Sequence, residues 1–335
     1  MYKRQVHHIE FPRRLRNPLV EWRAIRNLAR IYQQISPDLI HHFSAKGILL
    51  GSLAARRCGA ERVVNTFTGL GLAFSGTGKR AWLKRTVAQR ALCKALQPSD
   101  WQVTFQNPED MEQLISAGVV REDRSHLIRS SGVDPDEFCV QAEPTGTPQV
   151  MFASRLLWPK GVGEFVEAAR TLQQRGTDAK FVLVGASDSR NPTRVPSKQL
   201  RQWKEEKVVQ CWGHCGNMPY VLSQATIVVL PSYYGEGVPK VLLEAASCGR
   251  PIVTTDVRGC REAVGHEHNG LLVAPRDSES LAHAIARLLD EPWQRRQMGA
   301  RGREMVEQQF SSDMIADQTL TLYDQMLGRT ALPLR

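Results

Sequence analysis

The sequence predicts an α/β protein with two doubly wound parallel sheets, and three observations point to that class. A chain of 335 residues is longer than a single hydrophobic core usually serves, so two domains of ordinary size are expected. Short β-branched runs, DLIHHF, RVVNTF, FVLVG, TIVVLP and PIVTTD, alternate with stretches of helical spacing, the order that gives parallel strands joined by crossover helices. Several of these runs pass directly into turn-rich loops, and ligands of such sheets sit beyond the strand C-termini.

The opening is basic and helix-like, with no strand before DLIHHF. Its first letters, MYKRQ, look foreign to the rest of the chain. The N-terminal domain is therefore expected to be incomplete, with a sheet position exposed that a full domain would bury. His41 and His42 close DLIHHF at a strand end, where His41 is a candidate ligand contact and a buried neutral histidine is the plainer alternative. The stretch GLGLAFSGTGKR satisfies neither phosphate motif, because Ala73 stands where a P-loop needs its first glycine and Phe74 where a dinucleotide fingerprint needs its last.

The next segment, KRAWLKRTVAQRALCK at 79–94, carries six basic residues and reads as a basic amphipathic helix. Lys79, Arg80, Lys84 and Arg85 would meet anionic head groups, with Trp82 at the boundary; a solvated surface helix is the alternative. Residues 1–140 hold 21 Lys and Arg against 13 Asp and Glu, while 141–335 hold 23 against 21. The net charge of +10 thus belongs mainly to the N-terminal part. No zinc module, helix-turn-helix or RNA-stacking signature accompanies it, so no nucleic-acid partner is expected. No apolar run reaches the length of a membrane span.

QAEPTGTP, 141–148, is polar and turn-rich and is read as the linker, giving domains at 1–143 and 149–310 with a last helix near 311–327 in the closing segment 311–335. The strand QVMFAS comes next, then Arg155, Lys160 and a helix beginning near Gly161. In CWGHC three residues rather than two separate the cysteines and no second ligand pair exists, which argues against zinc. HEH at 266–268 lacks metalloprotease spacing, and no metal is expected. Seven cysteines spread along a long chain are expected to be free thiols.

The densest signal is TIVVLPS followed by GEGVPKVLLEAASCG, a buried strand, a loop and a helix. Pro239 is read as a first-turn proline and Cys248-Gly249 as the C-terminal cap. Backbone N–H groups of Gly237, Val238 and Lys240 at a helix start suit an anion such as a diphosphate. Glu236 and Glu244 lie eight positions apart and could hold the two ends of one ligand, since carboxylates accept well from sugar hydroxyls. Alone, two glutamates at this spacing also occur by chance.

The letters around that pair resemble the retaining glycosyltransferases of family 4, and SPDLIHHFSAKG, NTFTGLGLAF, IRSSGVD, MFASRLLWPKGV, FVLVGASDSRNP and TTDVRGCREAV extend the likeness to the capsule and O-antigen branch, over about residues 34–325. The resemblance implies a two-lobed GT-B architecture with the active site in the interdomain cleft and the last helix crossing back to the first domain. It implies that Glu236 contacts the donor sugar, Glu244 the nucleotide ribose, and Arg155 and Lys160 the diphosphate, with backbone near Gly213 at the base. His41 corresponds to the first histidine of a His-x-His pattern whose second histidine is replaced here by Phe43.

These expectations describe transfer of a hexose or N-acetylhexosamine from a nucleotide-diphosphate sugar, UDP in the first instance, to a lipid-linked glycan, with the anomeric configuration retained and without cofactor or metal. The setting expected is the cytoplasmic face of the plasma membrane, with an anionic membrane surface as partner. Two alternatives stay open: a sugar-nucleotide epimerase of the same shape, which the glutamate pair argues against, and a non-catalytic basic protein that binds membrane or polymer.

Overall fold

A computed structural model of the chain describes residues 5–9, 18–71, 74, 78–97, 100–188, 191–233 and 235–329. The letters MYKR of the opening and most of LAFSGT, including Ala73, lie outside them. The chain divides into two compact units, Met1–Ile128 with Thr319–Arg335, and Arg129–Gln318.

The first unit contains α1 (Pro18–Ile35), β1 (Ile40–Phe43), α2 (Ala45–Arg57), β2 (Val63–Phe67), α3 (Lys79–Ala95), β3 (Gln102–Phe105), α4 (Pro108–Ser116) and β4 (Ser125–Leu127). The strands run parallel in the order β1-β2-β3-β4, with Ile40 opposite Val63, Val64 opposite Gln102 and Val103 opposite Ser125. Every residue of β2 is buried, as a central strand covered on both faces requires. Ile48, Phe67, Phe105 and Leu114 form its core, and the Phe67 and Phe105 rings stack at 5.2 Å. Asn107 caps α4 by accepting from the Asp110 N–H at 2.8 Å, with Pro108 in the first turn.

The helix α3 packs by its second half. Its core side is Leu92 and Ala95, with Ala88 and Leu96 partly buried beside them. Trp82, Leu83 and Val87 are 63%, 57% and 58% exposed. The apolar residues thus lie on two sides of the helix: Leu92 and Ala95 turn in, and Trp82, Leu83 and Val87 of the first half turn out.

The second unit contains β5 (Gln149–Ala153), α5 (Val162–Gln174), β6 (Lys180–Val184), α6 (Ser197–Glu205), β7 (Gln210–Gly213), α7 (Met218–Ser223), β8 (Ile227–Leu230), α8 (Lys240–Ser247), β9 (Ile252–Thr255), α9 (Arg258–Ala263), β10 (Gly270–Val273), α10 (Ser278–Asp290) and α11 (Pro292–Gln309). Its sheet is parallel in the order β10-β9-β8-β5-β6-β7. The order reverses between β5 and β8, the point beyond whose strand C-termini ligands of such sheets sit.

The chain enters this unit at Arg129, ahead of the linker expected at 141–148. Arginines account for the difference. Arg250 Nη2 donates to the carbonyls of Gln141 and Ala142 at 3.1 Å, Arg295 pairs with Glu143, and Arg303 Nη1 donates to those of Pro135 and Phe138 at 2.9 Å. A polar, turn-rich stretch is held in place because its carbonyls have partners. The last helix, α12 (Ser312–Leu327), starts in this unit and groups with the first from Thr319 on; there Arg62 Nε donates to the Met326 carbonyl at 2.9 Å. All seven cysteines are unpaired. Among the described residues no helix is long and apolar enough to cross a membrane.

Candidate functional site

The site is built where the strand order of the second unit reverses. β5 ends at Ala153 and β8 at Leu230, and the loops beyond them carry Arg155, Lys160, Ser232 and Glu236. A 3-10 turn at Trp158–Lys160 delivers Lys160, and Gly161 comes next at φ 80°. A Cβ on Gly161 would stand 2.1 Å from the Pro231 carbonyl oxygen, so glycine there lets the two loops touch. Tyr233 N–H donates to the Pro159 carbonyl at 3.0 Å and joins them again.

That joint sets the central pair. Lys160 Nζ donates to Glu236 Oε2, with side-chain exposures of 9% and 14%. Ser232 Oγ donates to Glu236 Oε1 at 2.7 Å, so both oxygens of the carboxylate have donors. Beneath the loop, Thr254 Oγ1 donates to the Leu230 carbonyl at 2.6 Å and Thr255 Oγ1 to that of Ser232. Cys260, fully buried nearby, has its thiol pushed up to about 12 by burial first and the Glu236 charge second, which keeps it protonated and unreactive. Arg155 is exposed in the loop between β5 and the Trp158–Lys160 turn.

The helix start differs by a residue or two from the sequence reading. α8 begins at Lys240, and Pro239 is its N-cap with extended backbone rather than a first-turn residue. Gly237 and Val238 are buried in the loop just before it. Lys240 Nζ lies 3.8 Å from Glu244 Oε1, whose side chain is 13% exposed. Burial raises the Glu244 carboxyl above its ordinary value, Lys240 opposing and Glu137 adding to the rise. A half-desolvated carboxylate with one loose cation partner has acceptor capacity left for hydroxyl donors. Gly249, at φ 69°, ends the helix as the sequence suggests.

Two of the sequence-predicted residues lie elsewhere. Gly213 is exposed at the end of β7, the edge strand, where its carbonyl accepts from the Gly185 N–H at 2.7 Å. His41 belongs to the first unit. Its Nδ1 is hydrogen-bonded to the Tyr323 hydroxyl of α12 and its Nε2 to Thr66 Oγ1 at 2.5 Å. Burial, then the neighbouring His42, lowers the His41 pKa to about 4, so the ring is neutral at pH 7. Of the residues read as a membrane face, Lys79, Arg80, Trp82 and Lys84 are exposed and Arg85 is half-buried.

Sequence reading missed Ser232, read merely as the end of the strand, and Gly259. A Cβ on Gly259 would stand 1.7 Å from the Gly237 carbonyl oxygen and 2.8 Å from that of Glu236, so the first turn of α9 rests directly on the loop. Ser232 could have been found as a hydroxyl four residues ahead of a candidate carboxylate. Nothing in a single sequence signals the contact at Gly259.

Comparison with known proteins matches the chain in two stretches. Residues 147–291 match the family model described as glycosyl transferases group 1, and residues 2–107 match that described as glycosyl transferase 4-like. The N,N'-diacetylbacillosaminyl-diphospho-undecaprenol alpha-1,3-N-acetylgalactosaminyltransferase of Campylobacter jejuni subsp. jejuni is 30% identical over 331 residues, 95% of this chain and 85% of that protein. The UDP-Gal:alpha-D-GlcNAc-diphosphoundecaprenol alpha-1,3-galactosyltransferase of Escherichia coli is 26% identical over 293 residues, 81% and 71% of the two chains. Among solved structures, the sucrose-phosphate synthase of Thermosynechococcus elongatus superposes with a TM-score of 0.79 at 24% identity, over 92% of this chain and 79% of that one. Anabaena HepE, solved in complex with UDP, gives 0.73 at 20% identity over 90% and 82%; both are likenesses of fold.

Proposed function

The chain belongs to the group 1, family 4 glycosyltransferases and has their GT-B fold, and from that premise we propose that it moves a hexose or N-acetylhexosamine from a UDP-sugar to a diphosphate-linked lipid glycan, with retained anomeric configuration, in the synthesis of cell-surface polysaccharide such as capsule or O-antigen. The single observation that carries this reading is the buried Lys160–Glu236 pair, with Ser232 on its second oxygen, at the point of the sheet where ligands of such folds sit. The names of the two relatives, each describing transfer to a diphospho-undecaprenol-linked sugar, supply the acceptor class.

In this reading Arg155, Lys160 and the N–H groups of Gly237, Val238 and Lys240 stabilise negative charge growing on the departing diphosphate, the preorganised electrostatics that commonly supplies the largest part of catalysis. Glu236 leaves Lys160 for the sugar when the diphosphate takes its place, and Ser232 keeps the carboxylate aimed. Glu244 accepts from the ribose hydroxyls, and backbone at Gly213 approaches the base. His41 contributes to donor contact by exchanging its bond to Tyr323. The exposed first half of α3 meets anionic lipid at the inner face of the plasma membrane, which brings a lipid-linked acceptor to the enzyme.

The test is a thermal-shift panel with UDP, GDP, ADP and their sugar conjugates on the wild type and Glu244→Ala, followed by transfer assays on undecaprenyl diphosphate sugars with the base so identified. Ligand bound to the folded state raises its Tm. A shift with uridine nucleotides that disappears in Glu244→Ala, together with sugar transfer, is the expected result; folded protein that binds no nucleotide would overturn the reading.

A further inference from the structure

The first unit holds a cavity of about 780 Å³ where β2, β3 and β4 begin, lined also by Leu322 and Met326 of α12. Ligands of parallel sheets usually sit beyond the other, C-terminal ends of the strands. None of the residues around Lys160 and Glu236 belongs to its lining.

Two arginines, Arg62 and Arg124, line it. Arg62 is oriented by its Nε, which donates to the Met326 carbonyl at 2.9 Å, while its Nη1 lies 3.9 Å from Glu61 Oε2. Arg124 Nη2 lies 3.6 Å from Asp100 Oδ1, and its Nε 3.6 Å from Asp123 Oδ2. These ion pairs are longer than hydrogen bonds. Asp123 is taken by Arg121 instead, whose Nε and Nη2 donate to its two oxygens at 2.9 and 2.8 Å. Arg124 Nε is left buried with no hydrogen-bond partner among the described residues, a group that a ligand oxygen would satisfy. Phosphate and carboxylate are the anions whose oxygens match a guanidinium.

The remaining lining suits hydroxyl groups. Gln102 Nε2 donates to the Asp100 carbonyl at 3.3 Å, which fixes Gln102 Oε1 as the acceptor from His126 Nε2 at 2.8 Å. His126 therefore carries its proton on Nε2 and a lone pair on Nδ1. Burial lowers its pKa, so the ring is neutral at pH 7 and can accept. Trp101 donates its indole N–H to the Ala60 carbonyl at 3.3 Å and, at 4% exposure, is too buried to offer a face to a nucleotide base. Glu61 and Asp100 keep exposed side chains beside the arginines and oppose a ligand of high negative charge.

We propose that this cavity binds a sugar bearing one phosphate or carboxylate, with the acid group on Arg62 and Arg124 and a hydroxyl donating to His126 Nδ1. The proposal does not rest on the transferase reading.

Hydrogen exchange resolved to peptides tests it. Glucose 6-phosphate, glucuronate, glucose and inorganic phosphate are each titrated to about 10 mM with the wild type, Arg124→Gln and Glu61→Gln. Glucose 6-phosphate or glucuronate is expected to slow exchange saturably at 60–64, 101–103 and 124–127, and the one effective at lower concentration identifies the acid group. Glucose has no effect, and inorganic phosphate, which brings no sugar hydroxyls, binds at least about tenfold more weakly. Arg124→Gln, whose lost ion pairs are long and partly exposed, keeps the wild-type Tm and weakens binding at least about tenfold. Glu61→Gln removes a competing carboxylate and strengthens binding about twofold. Slowing confined to 155–161 and 232–240 would assign the ligand to the Lys160 and Glu236 loops and overturn the proposal. So would wild-type affinity in Arg124→Gln, or no slowing with any of the four compounds. Inorganic phosphate acting as strongly as the sugars would leave an adventitious ion only, which overturns it as well.

Discussion

Lys160 and Glu236, 76 residues apart in sequence, form a buried ion pair in which the glutamate's second oxygen is taken by Ser232 at 2.7 Å. Two loops of opposite direction meet there because Gly161 allows contact with Pro231. The pair is a store of preorganised charge: a cation ready for phosphate and a carboxylate ready for hydroxyls, each neutralising the other until a ligand arrives.

Removing one partner leaves the other charge buried, which costs about 3–5 kcal/mol, whereas removing both costs less than the sum. Lys160→Ala and Glu236→Ala are each expected to lower unfolding stability by about 3 kcal/mol, and the double variant to be no less stable than the worse single one. Urea unfolding of the four proteins measures this cycle, and strictly additive losses would show that the pair is not coupled. Glu236→Gln, which keeps shape and the Ser232 bond but leaves the buried Lys160 charge without its counter-charge, should lose stability much as Glu236→Ala does and lose about 100-fold in kcat with little change in nucleotide affinity.

His41 sets a pH dependence in the first unit. Its pKa in the folded protein is about 4, lowered by burial and then by His42, below the ordinary value near 6.5. His42 is shifted the same way, burial dominating over the raising effect of its bond to Asn65. As pH falls from about 6.5 towards 4 the unfolded chain takes up protons that the folded chain does not, so stability is full above that window and is lost within it. His41→Gln can keep the bond to Tyr323 and does not titrate. The urea midpoint is expected to drop less between pH 7 and pH 5 in this variant, by about one proton of linkage; identical slopes would mean that His41 is not held neutral.

Much of this organisation is legible in the letters. Alternating apolar runs gave the parallel sheets, and TIVVLPS with GEGVPKVLLEAASCG gave the strand, loop and helix around Glu236, because burial on both faces and turn chemistry leave local marks. What stayed hidden depends on contacts between distant segments. Arg250, Arg295 and Arg303 tie residues 135–143, which run into the linker expected at 141–148, to the second unit, and no periodicity encodes a carbonyl's distant donor.

The contact at Gly259 gives a sharp test of loop placement. A methyl group there would stand 1.7 Å from the Gly237 carbonyl oxygen, and backbone, unlike a flexible side-chain end, cannot step aside alone. Gly259→Ala must therefore displace either α9 or the loop from Glu236 to Val238. Overpacking of this kind costs about 1–3 kcal/mol, and transfer should fall by at least about tenfold. Equal activity and Tm for wild type and variant would show that the loop does not rest on α9. Ser232→Ala is the companion measurement, since it frees the carboxylate without moving backbone: it should lower kcat with a smaller change in Tm.

The first half of α3 yields the last prediction. Lys79, Arg80 and Lys84 share it with Trp82 and Leu83, both more than half exposed, so cations and large apolar side chains stand together in solvent with no protein face to cover them among the described residues. A solvated helix gains nothing from exposing a tryptophan and a leucine, whereas an anionic bilayer takes both kinds of group at once. Each cation near such a surface contributes about 1 kcal/mol and the contribution is screened by salt. Binding to vesicles rich in phosphatidylglycerol should therefore exceed binding to phosphatidylcholine vesicles, weaken as salt rises, and drop at least about tenfold in the Lys79→Glu, Lys84→Glu double variant. Trp82→Ala should weaken what binding survives at high salt, because the apolar part of the attraction is unscreened. Equal binding to both vesicle types, or none to either, would assign these residues to solvent and leave delivery of the lipid-linked acceptor to another surface.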